Sequence, residues 1–213
     1  LHYHAWDQSR TVFWADPDTG LSKNFWSRAI GWHLMALVDI YALLPHSQTA
    51  HKRRLKELLE EAMAGILARR EQESGLFYQL PALPAQEGNY LETSASLMVA
   101  YTLLKGARYG LWGNQEQYIQ YGDEILLSIV TRQMKLRNGV LSLCGICKGA
   151  GLGPAGNTRR DGSVQYYLSE EVVCDEQKGV GVCMMAFAQW LMLKRDGQVP
   201  SAGFPKAGFF TRL

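Results

Sequence analysis

"YLETSASLMVAYTLLKGARYG" (90–110) and, just downstream, "NQEQYIQYGDEILLSIVTRQM" (114–134) decide the fold. The first is apolar around most of a helical circumference, and Gly110 stands where a helix would stop. The second is apolar on one face only. A helix that is apolar all round belongs inside, and a one-sided helix belongs outside. Together they read as an inner helix followed by an outer one.

The same pattern recurs on both sides. "FWSRAIGWHLMALVDIYALLP" (25–45) repeats Ile30, Leu34, Leu37, Val38, Tyr41 and Leu44 at helical spacing, and Pro45 closes it. "TAHKRRLKELLEEAMAGILARRE" (49–71) is amphipathic, with Leu55, Leu58, Leu59, Ala62, Met63, Ile66 and Leu67 as its buried stripe. "DEQKGVGVCMMAFAQWLMLKRDG" (175–197) is a third apolar helix, ending in Lys, Arg and Gly. Long loops precede each apolar helix: residues 1–25, 74–90 and 138–173. The expectation is an all-α chain of about five long helices, stacked as hairpins into a two-layer ring or solenoid. The three loops then gather at one end.

The totals exclude several classes. The chain has 213 residues, 47% of them hydrophobic and 20% charged, an ordinary globular composition. A net charge of +2 argues against a nucleic-acid partner. Lys52, Arg53, Arg54 and Lys56 are answered by Glu57, Glu60 and Glu61, which suits a solvated helix face. No run of about 18 apolar residues suggests a membrane span. Four cysteines are too few for a disulfide framework, and Cys144 and Cys147 lack a matching second pair for zinc. Free thiols in a reducing compartment are expected, hence a cytoplasmic location, with no metal and no cofactor.

The chemistry-bearing residues sit in the loops. His4, Asp7, Trp14, Trp26, Arg28, Tyr90, Glu92, Arg160, Asp161, Tyr166, Tyr167 and Glu170 combine aromatic faces with cations and carboxylates. Such a mixture suits an anionic sugar, with rings stacking on Trp and an arginine fork meeting a carboxylate. Each aromatic taken singly is better read as a core staple. Trp26, Arg28 and Trp32 fall at one helical beginning, and Arg28 and Trp32, four apart, share a face.

Four collinear segments carry a resemblance: "YHAWDQSR", "WADPDTGLSKNFWSRAIGWHLMALVD", "GLFYQLPALPAQEGNYLETSASLMVAYTLLKGARYG" and "GLGPAGNTRRDGSVQYYLSEEVVCDEQKGVG". They resemble the unsaturated rhamnogalacturonyl hydrolases, glycoside hydrolase family 105. The resemblance implies an (α/α)6 barrel, of which residues 1–197 would be the C-terminal portion and 198–213 an unassigned tail. It implies a substrate ending in a 4,5-unsaturated uronic acid, usually linked to rhamnose. An acid protonates C4, water adds at C5, and the hemiketal opens to release the next sugar.

Carried over by position, His4, Trp26, Arg28 and Trp32 are the implied substrate-binding residues. Asp7 reads first as a carboxylate that fixes its loop. Glu92 reads as a helix cap ahead of a substrate-facing role. Tyr90, Ser169 and Glu170 match segments near the mouth without an assigned role. The family's catalytic aspartate is expected upstream of Leu1, so this chain alone is expected to be inactive and to self-associate through open barrel edges. The alternative is a non-catalytic carbohydrate-binding or interaction module. Another (α/α)6 enzyme, such as an epimerase, would want paired histidines, and His33, His46 and His51 form no pair.

Overall fold

The computed structural model describes residues 1–137 and 139–199. Five long helices carry it: α1 Ser27–Leu43, α2 Thr49–Leu67, α3 Thr93–Arg108, α4 Gln115–Ser128 and, after the short α5 Val164–Ser169, α6 Gln177–Arg195. The inner and outer roles follow from burial. On α3, 14 of 16 residues are buried, whereas α2 buries only Leu59, Ala62, Met63 and Ile66. α3 is the centre of the arc, packed between α1 and α6 and backed by α4; α2 backs α1. The expected helical, partial (α/α)6 architecture is what the chain forms.

Close approach of the helices rests on small residues. A Cβ on Gly31 of α1 would stand 2.8 Å from the Cβ of Met98 on α3. A Cβ on Gly122 of α4 would stand 2.7 Å from two side-chain carbons of Leu104 on α3. These glycines let side chains of the neighbouring helix lie against backbone. The main core runs from Ile30, Leu34 and Val38 through Leu97, Met98 and Leu104 to Val182, Ala186 and Leu193.

Two expectations need correction. The stretch 114–134 does not run on as one helix: α4 ends at Ser128 and passes into a π turn, Ile129–Gln133. Strand β1, Met134–Arg137, follows and pairs antiparallel with β2, Val140–Leu143. Gly139, at φ +78°, supplies the left-handed backbone of the turn between them. The loop 138–173 thus carries β2, β3 (Ile146–Cys147), β4 (Val172–Val173) and α5. β3 pairs antiparallel with β4.

The second correction concerns the cysteines. Cys144 and Cys174 are joined in a disulfide, leaving Cys147 and Cys183 as buried free thiols. The 144–147 spacing drew attention to the wrong partner. Antiparallel pairing of β3 with β4 is what brings Cys174 beside Cys144. Among the described helices, none is long and apolar enough to cross a membrane.

Candidate substrate-binding site

The three inner helices begin at the same end. Trp26, Glu92 and Glu176 are the N-caps of α1, α3 and α6. The long loops cross this end and tie it together. Tyr78 bridges Leu91, the Gln79 N–H donates to the Tyr90 carbonyl, and the Ser27 N–H donates to the Gln79 carbonyl. Thr93 Oγ1 donates to the Cys144 carbonyl at 2.7 Å, so the β2–β3 loop is seated on the start of α3.

Glu92 is completely buried and caps α3. Its carboxylate accepts from the Ala95 N–H at 2.6 Å, the Cys147 N–H at 2.9 Å and the Ser94 hydroxyl at 2.8 Å. Burial pushes its pKa up, while these donors and the nearby Arg28 oppose the rise. Arg28 is also covered, at 1% exposure. Its Nη1 donates to the Cys147 carbonyl and reaches the Ser94 hydroxyl at 3.5 Å. Cys147 and Ser94 therefore stand between the buried cation and the buried carboxylate and are held by both. The Arg28 guanidinium lies 5.2 Å from the Trp26 ring centroid, within cation–π range.

A second cluster stands on the other side of Trp26. His4 Nε2 is 2.7 Å from the Tyr167 hydroxyl, and His4 Nδ1 is 3.4 Å from the Ser22 hydroxyl. The His4, Trp26 and Tyr167 rings lie 5.8–6.1 Å apart, centroid to centroid. Burial drives the His4 pKa down to about 4, with the Asn24 backbone opposing. Burial drives the Tyr167 phenol above its ordinary value. A proton-holding phenol beside a neutral imidazole donates to Nε2, which assigns the imidazole proton to Nδ1. The Trp26 Nε1 is buried with no hydrogen-bond partner among the described residues.

The expected residues divide. His4, Trp26 and Arg28 come together, with Glu92 next to Arg28. Tyr90 joins them, its phenol pushed up by burial and then by nearby Cys147 and Glu92. Trp32 does not join the Trp26 stack; it is 44% exposed further along α1. Asp7 folds its own loop, accepting from Ser9, Thr11 and Val12 backbone N–H groups. Ser169 and Glu170 hold Arg159, which lies 5.4 Å from the Tyr166 ring centroid.

Sequence reasoning missed Ser94, Cys147 and Ser22 and did not give Tyr167 a role. Cys147 and Tyr167 carry no local signal, because each acts through a partner more than 100 residues away; Ser94 lay within reach as the neighbour of the Glu92 cap, two positions on. It also missed that His2 and His33 lie 6.1 Å apart, centroid to centroid. With His4, Tyr3, Ala29 and Ile30 they line a hollow between the N-terminal segment and α1. Among the described residues, no group of His, Cys, Asp and Glu is arranged to hold a metal.

Comparison with known proteins fits this geometry. Residues 1–194 match the family described as Glycosyl Hydrolase Family 88. The chain is 42% identical over 198 residues to Protein Atu3128 of Agrobacterium fabrum (strain C58 / ATCC 33970), covering 92% of this chain and 84% of that protein. It matches to the same extent the 24.9 kDa protein in picA locus of Rhizobium radiobacter. Among solved structures, a glycoside hydrolase from family 105 of C. acetobutylicum ATCC 824 superposes with a TM-score of 0.84 at 36% identity. That match covers 91% of this chain and 52% of that one, so the chain spans about half the length of the solved relative. The chain belongs to Glycosyl Hydrolase Family 88 and is similar to the family 105 hydrolases, with the fold of a partial (α/α)6 barrel.

Proposed function

We propose that this chain forms one wall of a binding site for an oligosaccharide whose non-reducing end is a 4,5-unsaturated galacturonic acid linked to rhamnose. The observation that carries this reading is the match of residues 1–194 to Glycosyl Hydrolase Family 88, with His4, Trp26 and Arg28 brought together at the end where the inner helices begin. Neutral His4, its Nε2 held by the Tyr167 hydroxyl, orients that phenol and adds no charge to the mouth. Arg28, being covered, supplies positive charge from beneath Trp26 rather than a surface fork.

In the complete barrel the reaction is hydration of the C4=C5 double bond: a proton to C4, water to C5, then opening of the hemiketal with loss of the neighbouring sugar. The carboxylate buried beside Arg28 is Glu92, and its lone pairs are committed to Ala95, Cys147 and Ser94. That commitment favours a second reading, a binding module without turnover. Both readings include sugar binding, and they part on catalysis by the 213-residue chain. The exposed flanks of α1 and α6 support self-association as well. Joined Cys144 and Cys174 remove the free-thiol argument for a cytoplasmic location.

The test is titration calorimetry with unsaturated galacturonyl-rhamnose, alongside loss of ultraviolet absorbance of the C4=C5 bond. Binding without turnover is expected. Trp26→Ala removes the ring on which His4 and Arg28 pack, and should weaken binding about tenfold. No binding by the parent chain would refute the site, and turnover would refute the assignment of Glu92 as a cap alone.

A further inference from the structure

An anionic sugar needs a cation that it can reach, and Arg28, at 1% exposure, is not one. The loop 148–163, which crosses from β3 to α5, carries Lys148, Arg159 and Arg160. Lys148 is paired with Glu171, and Arg159 with Glu170. Lys23, beside the loop, faces Asp161 at 3.9 Å. Of the loop's cations, Arg160 alone makes no ion pair among the described residues. It is half-buried. A guanidinium keeps its charge under all ordinary conditions, and one that has given up part of its water favours an anion as partner.

Its seat is built by the loop. The Arg160 N–H donates to the Asn157 carbonyl at 3.3 Å, and the Arg160 carbonyl accepts from the Gly153 N–H at 2.9 Å, which closes a turn. A Cβ on Gly153 would stand 3.0 Å from the Arg160 Cβ, and one on Gly151 would stand 3.9 Å from its Nη1. The Gly151 N–H donates to the Tyr166 hydroxyl at 3.0 Å, so the guanidinium lies close to that phenol. Burial pushes the Tyr166 pKa up, and the Gly151 N–H and Arg160 pull against it. The Tyr166 ring lies 5.1 Å from that of Tyr167, which lies 5.8 Å from that of Trp26. The Asn24 amide, just ahead of α1, donates to the Gly162 carbonyl at 2.8 Å and fastens the loop to the mouth. A run of contacts thus leads from Trp26 to Arg160 on the α5 side. We propose that Arg160 reads the carboxylate of the terminal uronic acid through a forked pair of hydrogen bonds, which the covered Arg28 cannot offer. The proposal rests on the reading of this mouth as a site for an unsaturated uronide.

Titration calorimetry with unsaturated galacturonyl-rhamnose and with its methyl ester tests it. The ester keeps the ring and the double bond and removes the charge. The parent chain is expected to bind the acid about tenfold more tightly than the ester. Arg160→Gln should weaken binding of the acid about tenfold and leave binding of the ester unchanged, so that the preference disappears. Arg160→Lys keeps the charge and loses the fork, and should fall between the two. An Arg160→Gln chain that still prefers the acid, or that loses acid and ester alike, would overturn the assignment. Full preference in Arg160→Lys would reduce the effect to net charge and overturn the fork. Equal binding of acid and ester by the parent would overturn the role of Arg160 and leave the sugar site standing. Failure of the parent to bind either compound would refute the sugar site, and the role of Arg160 with it.

Discussion

His4 and the Arg28–Glu92 cluster set the behaviour of the mouth one atom at a time. The His4 pKa lies at about 4 in the folded chain, against an ordinary 6.5. Above pH 6.5 the imidazole is neutral in both states, and its contribution to stability is fully present. As pH falls from 6.5 to 4 the unfolded chain takes the proton first, and about 3 kcal/mol is lost. Thermal melts of the parent and His4→Gln across this window should converge as pH drops, and parallel curves would disprove the assignment. At the other cluster, Ser94→Ala removes the hydroxyl shared by Glu92 and Arg28 and should cost about 1–2 kcal/mol in urea unfolding. Glu92→Gln puts an NH2, which cannot accept, against the Ala95 or the Cys147 N–H and should cost more, about 2–3 kcal/mol. Glu92 was readable as a cap from its place before "TSAS", because capping is local. Cys147 was not, because its link to Arg28 spans 119 positions.

At the scale of elements, spacing between inner helices depends on Gly31. Gly31→Ala places a methyl 2.8 Å from the Met98 Cβ and 2.7 Å from its sulfur. The thioether can swing aside but the Cβ cannot, so α1 must shift from α3 at a cost of about 1–3 kcal/mol, read as a lowered melting temperature. The helices themselves were legible because their apolar positions recur at helical spacing over four turns or more. Strands β3 and β4 were not, since two-residue strands have no period to detect. The disulfide was illegible for the same reason: it depends on a pairing 30 residues apart that only those strands create. It closes a loop over the start of α3. Its reduction by dithiothreitol should lower stability by about 2–4 kcal/mol, with Cys144→Ser as the matching variant.

Taken whole, the molecule is an arc whose concave architecture was readable from alternating all-round and one-sided apolar helices. The flanks were readable only as a deficit of helices, because sequence periodicity marks an apolar face without saying what covers it. Burial along α3 supplies the missing contrast. A central inner helix shows what α1 and α6 look like when both sides are partnered, and their exposed stripes are the measure of what is lacking.

Three of the four large exposed side chains on the α6 flank are methionines: Met184, Met185 and Met192. Thioethers are flexible and polarisable, so this flank can mould itself to an irregular surface where branched side chains would demand one shape. The same atoms are open to oxidation. A sulfoxide turns an apolar side chain into a polar one, so mild peroxide should leave the fold standing while making that flank polar. Damage of this kind would register first in the character of one exposed face, and only later in how the chain holds its shape.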